Sequence, residues 1–323
     1  MSADRGTTHT PGAAAEIAEL VAKARAAKAT IAVGSDGNAA IALDLSRLVS
    51  VLELNETALL CSVQAGLTLG ALEDFLAARG LTLGTPGAIS LSRTVGALLS
   101  APRPDEASPR TGPLLGQCVA VGVVLADSTV MSTRIAPRKA VGPDLMHAFI
   151  GSRGTLGIIT DATFRVLRRG DARHQAAFTL PSVAGALAVA RTLVVEGARP
   201  ADLGVLADPP TVLITVEGTA SVAEAERELC ASLCVAVGGV AIPHVAPRAL
   251  PPRAQQRAVS LETIVATKLA PSARVVGWHA RGAAMCDPAS QPTLPPLPPA
   301  WSAIKRALDA TSTLPAWPTG QTA

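Results

Sequence analysis

Apolar residues recur at helical spacing in several windows and cluster as short branched runs in others. Ile17, Leu20, Val21 and Ala24 share one face of an alanine-rich stretch, Ala13–Ala27, that Pro11 opens. Leu69, Leu72, Phe75 and Leu76 share another, behind Thr68, whose hydroxyl can accept from the free N–H groups of a first turn; Gly80 stops that helix. Strands are predicted over 30–33, 41–45, 58–66, 81–83 and 119–125, with 129–131 returning after a turn at Asp127-Ser128. Between the first two strands lies Gly34-Ser35-Asp36-Gly37-Asn38, which on its residues reads as a plain hairpin turn. A short helix, Asp144 to Ile150 with Asp144 as its cap, leads into Gly151-Ser152-Arg153-Gly154-Thr155-Leu156-Gly157 and then a strand from Ile158 to Val166. Glycines at this density let the backbone bend where side chains would clash, or let a ligand lie against bare peptide.

From about Gly170 the texture changes. A strand at His174–Leu180 precedes a helix from Val183 to Val195 that Ser182 can cap. Strands near 202–206 and 211–217 flank Pro209-Pro210, and Ser221 with Glu224 forms a capping box for a helix to about Cys234. This β-α-β-β-α order predicts an α+β unit with its helices on one face of an antiparallel sheet. Arg274–His279 reads as a further strand and Trp301–Leu308 as a last helix, joined by a proline-dense connector over 287–299. Residues 101–113 read as a proline-rich surface loop, and Met1–Gly12 as a frayed start.

Composition narrows the chemistry. The chain has 323 residues, 49% hydrophobic and 16% charged, enough for one large domain or two. Aromatics make up only 2%, with no tyrosine, so the core is built from Ala, Val and Leu, a tyrosine base is excluded, and a ring platform for stacking nucleobases is not expected. A net charge of +3, dispersed along the chain, argues further against nucleic acid. Cys230 and Cys234 share a helix face, but His244 and His279 stand alone and no metal set is expected. An odd count of 5 cysteines and the lack of a secretory signal point to a reducing cytoplasm. No apolar run is long enough to span a bilayer.

The string Lys139…Gly142-x-Asp144-Leu145, followed by Gly151-Ser152-x-Gly154-x-Leu156-Gly157-x-x-Thr160, resembles the end of the FAD-binding domain in FAD-linked oxidases of the vanillyl-alcohol oxidase type (the PCMH-type FAD-binding domain). Val63-x-Ala65-Gly66-x-Thr68 and Gly80-Leu81-x-Leu83-Gly84-x-Pro86 resemble the same family, as does Thr94-Val95-Gly96-Ala97. Within it the chain looks most like the FAD-binding (E) subunit of glycolate oxidase. The resemblance implies a two-part FAD-binding domain over 11–170 and a smaller α+β cap, or substrate, domain over 171–323. It implies FAD held without a covalent bond, with only Cys118 as a remote point of attachment. Its contacts would come from Gly34, Ser35, Gly37 and Asn38, from Thr94, Val95, Gly96 and Ala97, and from Gly151, Ser152, Gly154, Gly157 and Ile158. It also implies oxidation of a small 2-hydroxy acid, with Arg274, His279 and Arg281 as candidate substrate groups. A second flavoprotein and an iron–sulfur protein would be partners in a hetero-complex. Asp36 sets a negative charge where two phosphates would lie, and the 34–38 loop is short, so the alternative is a degenerate flavin fold without FAD that serves as a structural or regulatory partner.

Overall fold

The computed structural model describes residues 7–34, 39–86, 89–102, 106–135, 144–207, 209–243, 256–259, 274–279, 282–286 and 301–316. Its secondary structure is mixed, and its buried apolar residues form two clusters.

The first cluster is built around a five-stranded sheet. Strands β4 (Val51–Asn55), β5 (Leu60–Gln64), β9 (Cys118–Val124), β10 (Val130–Ser132) and β11 (Ile158–Arg165) run in the order β10-β9-β11-β5-β4, all antiparallel. Every residue of β9 is buried, and β11, beside it at the centre, exposes only Arg165 and part of Asp161, as branched and small residues covered on both faces require. Helix α1 (Ala14–Ala26) lies against β9 and β10 through Ile17, Val21 and Ala24. Helix α3 (Val95–Ser100) packs on β5 and β11. Helix α2 (Leu69–Ala77) buries Leu69, Leu72 and Leu76, starts at the Thr68 hydroxyl, which accepts from Ala71 N at 3.2 Å, and ends at Gly80 with φ +65°. Phe75 stays half-exposed under the Arg79 guanidinium, 3.9 Å from its ring centre. Beyond Gly80 the short strand β6 (Leu81–Thr82) pairs with β12 (Leu167–Arg168), which follows β11.

A small sheet stands beside this core. Strands β1 (Thr7–His9), β3 (Ile41–Leu43) and β2 (Ile31–Val33) are all parallel, in the order β1-β3-β2. Residues 7–9, expected within a frayed start, are therefore a strand; three residues of Thr-Thr-His carry too little pattern to announce one. The parallel pairing of Ile31 with Ile41 also removes the hairpin reading of the intervening loop, because a hairpin joins antiparallel strands. β2 advances only about 10 Å over three residues, so a connection from 34 to 40 is long enough to bring the chain back to its start.

Three further local expectations are corrected. Asp144 does not cap α4 (Met146–Phe149); its carboxylate pairs with Nδ1 of His147 at 2.7 Å, and α4 has no side-chain cap. Helix α6 (Ala220–Ala236) begins at Thr219 without a capping box, since Glu224 is drawn into a bidentate pair with Arg227, 3.0 and 2.5 Å. The proline-rich stretch holds a minimal hairpin, β7 (Ala107–Ser108) with β8 (Gly112–Pro113), made possible by Gly112 at φ +74°.

The second cluster belongs to a seven-stranded antiparallel sheet ordered β16-β13-β15-β14-β18-β19-β17. Its strands are β13 (Ala172–Thr179), β14 (Asp202–Ala207), β15 (Pro210–Gly218), β16 (Val240–Ile242), β17 (Gln256–Val259), β18 (Arg274–His279) and β19 (Gly282–Cys286). Helix α5 (Val183–Val195), capped by the Ser182 hydroxyl on Gly185 N at 3.1 Å, packs on β14 and β15, while α6 packs on β13 and β15. The β-α-β-β-α order and the shared helix face agree with the sequence. Cys230 and Cys234 point into this cluster and form no metal group among the described residues. Burial pushes both thiols up to about 12 and that of Cys61, in the first cluster, up to about 11. At neutral pH the thiolate fraction is then below about one in a thousand. In native protein at pH 8, these three cysteines should resist iodoacetamide and label only after unfolding, with peptide mass spectrometry as the measurement.

The end of the chain returns to the first cluster. Helix α7 (Trp301–Leu308) and Leu314 pack there, and Thr313 O accepts Ile31 N at 2.8 Å, extending the small sheet from its β2 edge. The sequence division assigns these residues to the second part of the chain; their packing is with the first.

Candidate cofactor-binding site

A cavity of about 910 Å³ opens where the small sheet, α3 and the glycine turn before β11 converge. That volume is at the upper end of the roughly 300–1,000 Å³ typical of small-molecule sites. One wall is the small sheet and its exit, including Val33, Gly34 and residues 42–46. A second is the β5–α2 turn at Ala65 and Gly66 with the start of α3 at Thr94, Gly96 and Ala97. The third is Arg153, Gly154, Gly157 and Ile158, with Pro315 at the rim from the end of the chain.

Two of the walls are shaped by glycines that could hardly be larger. At Gly66, a Cβ would lie 2.0 Å from Leu45 O; at Gly157, 2.4 Å from a Val123 methyl; at Gly96, 3.1 Å from both the Ala65 carbonyl and its Cβ. These glycines let main chains approach. Gly34 (φ +85°) and Gly154 (φ +74°) differ: an added Cβ would meet no atom within 4 Å among the described residues. They present bare left-handed peptide to open space on opposite walls, a cradle suited to an extended ligand lying against backbone.

The placement of the sequence-derived residues is mixed. Gly34, Thr94, Gly96, Ala97, Gly154, Gly157 and Ile158 line the cavity together. Val95 faces the core, fully buried. Gly151 sits behind the wall at φ +77°, its N–H given to Leu99 O at 2.8 Å. Ser152 is buried, its N–H given to Phe149 O and its hydroxyl without a hydrogen-bond partner among the described residues. Ser35, Gly37 and Asn38, with Asp36, lie outside the described residues, as does Arg281. Arg274 and His279 fall on β18. Cys118 does not line the cavity; its Sγ donates to Ala120 O at 3.3 Å.

The start of α3 offers less than its sequence suggests. The N–H groups of Val95, Gly96, Ala97 and Leu98 already go to Leu67 O, Ala65 O, the Thr94 hydroxyl and Thr94 O. What Thr94–Ala97 supply is a flat, small-residue surface, not free donors. The other end of α3 is closed by Arg93, whose Nη2 donates to Ala97 O at 2.7 Å and Ala101 O at 2.5 Å while its Nε pairs with buried Glu106 at 2.8 Å. This holds α3 in place beneath the cavity.

Two further contributors escaped the sequence. One is Arg153, a cavity cation between two glycines; an arginine in a loop reads as solvated surface, and no pattern marks it otherwise. The other is the closing segment. The Lys305 ammonium donates to Thr155 O at 2.7 Å, to Leu314 O at 3.1 Å and to the Asp309 carboxylate at 2.6 Å, while Trp301 Nε1 donates to the Thr155 hydroxyl at 3.1 Å. Thr155 belongs to the glycine turn, so that turn is tied from behind by residues about 150 positions away. Lys305 in the last helix and Asp309 just past its end, four residues apart, were the only signal for this; the proline-rich surroundings hid it.

Comparison with known proteins agrees with the cavity. Residues 9–134 match the family described as FAD binding domain. An uncharacterized FAD-linked oxidoreductase, YgcU, of Escherichia coli K12 is 28% identical over 162 residues, 50% of this chain and 33% of that protein. The mitochondrial D-lactate dehydrogenase [cytochrome] 1 of Saccharomyces cerevisiae is 32% identical over 162 residues, 49% of this chain and 27% of that one. The matches thus span about a third of these curated relatives' length. Among solved structures, an alkyldihydroxyacetonephosphate synthase superposes with a TM-score of 0.75 at 15% identity, over 95% of this chain and 76% of that chain. p-Cresol methylhydroxylase gives 0.60 at 14% identity, over 73% and 57%. Residues 9–134 thus match an FAD-binding domain, the relatives include one named as an FAD-linked oxidoreductase, and FAD is the cofactor.

Proposed function

We propose that this protein is an FAD-linked oxidoreductase of the hydroxy-acid or alcohol dehydrogenase type, with residues 11–170 holding the cofactor and the sheet of residues 171 onward covering the substrate. The observation that carries the reading is the cavity itself, with bare peptide at Gly34 and Gly154 and small residues at Ala65-Gly66 and Gly96-Ala97. Its first two walls, the small sheet apart from Thr7 and Thr8 and the Ala65–Ala97 wall, lie inside the matched family region. When bound, FAD supplies a two-electron acceptor. The chain's own part is to position it. Gly96 and Ala97 admit a planar ring against the main chain, Gly34 and Gly154 admit close backbone approach, and the apolar sides at Val33, Val49 and Ile158 exclude water.

The D-lactate dehydrogenase likeness supports a small 2-hydroxy acid as substrate. The narrower reading, a likeness to the FAD-binding (E) subunit of glycolate oxidase with a second flavoprotein and an iron–sulfur partner, rests on the Gly151–Thr160 string. Purified protein, alone or reconstituted, should show a flavin visible spectrum that bleaches on anaerobic addition of D-lactate, glycolate or D-2-hydroxyglutarate. A flavin spectrum that none of these acids bleaches removes the substrate class. A colourless protein that takes up no added FAD removes the flavin reading and returns the chain to the role of structural partner.

A further inference from the structure

Two charged side chains line the cavity among the described residues, Asp44 and Arg153. Asp44 is engaged: its Oδ1 accepts Ser46 N at 2.9 Å. Arg153 is fixed at its backbone, where its N–H goes to Ser100 O at 2.9 Å and its φ is +55°, between Gly151 at +77° and Gly154 at +74°. Its guanidinium has no ion pair or hydrogen bond among the described residues. Arg153 thus sets a half-buried guanidinium, unpaired among the described residues, on the cavity wall, where a bound anion would pair with it.

The cofactor's anionic part is its diphosphate, and among the described residues two sets of backbone donors beside the cavity are already engaged. The first-turn N–H groups of α3 are all bonded within the protein, and Gly34 N donates to Leu43 O at 2.9 Å. Resting on the FAD reading above, we propose that Arg153 binds the diphosphate of FAD and is the charge that holds the cofactor's nucleotide half in this chain. A planar fork with parallel donors matches phosphate oxygens, which a lysine in its place would match less well.

The test is calorimetric titration of wild type, Arg153→Met and Arg153→Lys with FAD, ADP and riboflavin, at low and high salt. Loss of the charge should weaken FAD and ADP by about 10- to 100-fold and leave riboflavin, which has no diphosphate, within twofold. Arg153→Lys should recover part of the loss. The salt dependence of FAD binding should be shallower in Arg153→Met. Equal FAD and ADP affinities in wild type and Arg153→Met would overturn the proposal while leaving FAD as the cofactor. So would an equal loss for riboflavin, which reports a distorted cavity, or an unchanged FAD affinity with a raised KM for the 2-hydroxy acid, which assigns the guanidinium to substrate. A wild type that binds neither FAD nor ADP overturns this proposal and the functional reading together.

Discussion

Replacing Asp309 by Ala should destabilise the protein by about 3–5 kcal/mol, a large share of the roughly 5–15 kcal/mol that holds a folded domain. Asp309 is buried and accepts from Lys305 Nζ at 2.6 Å and from the N–H groups of Thr313 and Leu314 at 2.8 Å each. Removal strands a buried ammonium and two backbone donors at once. Lys305→Met should cost less, because the remaining carboxylate keeps its two backbone donors and the methionine fills similar volume. The double variant Lys305→Met/Asp309→Ala should lose less than the sum of its parts, the signature of direct coupling. Burial lowers the Lys305 pKa from its ordinary 10.5, opposed in part by Asp309. The unfolded chain therefore holds that proton to higher pH than the folded one. The stability advantage of wild type over Lys305→Met should then grow as pH approaches 10.5. Urea titration at pH 7 and pH 9.5 measures both effects. Because Lys305 also holds Thr155 O and Pro315 lines the cavity, the same variants should weaken FAD binding.

That closing segment shows where sequence reading reaches its limit here. Its helix is legible from Trp301 to Leu308, but its partners are carbonyls at Thr155 and Leu314, and no periodicity reports a carbonyl brought across 150 residues. The side chains of Ala310–Pro315 announce nothing, because the contacts there are made largely by backbone at Thr313 and Leu314. The larger elements are legible because their signals are local: a Thr68 or Ser182 hydroxyl beside an amphipathic run announces its helix without any tertiary information. Where a capping residue has a competing partner, His147 for Asp144 or Arg227 for Glu224, the local rule fails. β1 escapes the sequence because Thr7-Thr8-His9 carries no apolar pattern, and β4 (Val51–Asn55) escapes it as well. In the cavity, the glycines are legible as glycines; which of them serve packing and which face open space is not.

That distinction carries the second large effect. Gly66 lies between β5 and α2, its N–H bonded to Leu48 O at 2.8 Å. A Cβ there would sit 2.0 Å from Leu45 O and 2.8 Å from Leu48 O, both main chain, so relief requires a shift of more than about 1 Å in one of two backbones. Neither is free to move. Leu45 and Leu48 are themselves buried in the first cluster, and Ala65 on the other side accepts the α3 bond from Gly96. Gly66→Ala should cost roughly 3 kcal/mol, at the top of the overpacking range, and abolish FAD binding with the fold. Gly154→Ala should do the reverse. Its Cβ meets no atom within 4 Å among the described residues, so the penalty is the left-handed backbone alone, about 1 kcal/mol, while the methyl group enters the space proposed for the cofactor. Thermal melts and FAD titrations of the two variants should therefore cross: a large drop in Tm for Gly66→Ala, a small drop with a tenfold or greater loss of affinity for Gly154→Ala. If Gly154→Ala binds FAD as wild type does, the cofactor does not lie against that wall.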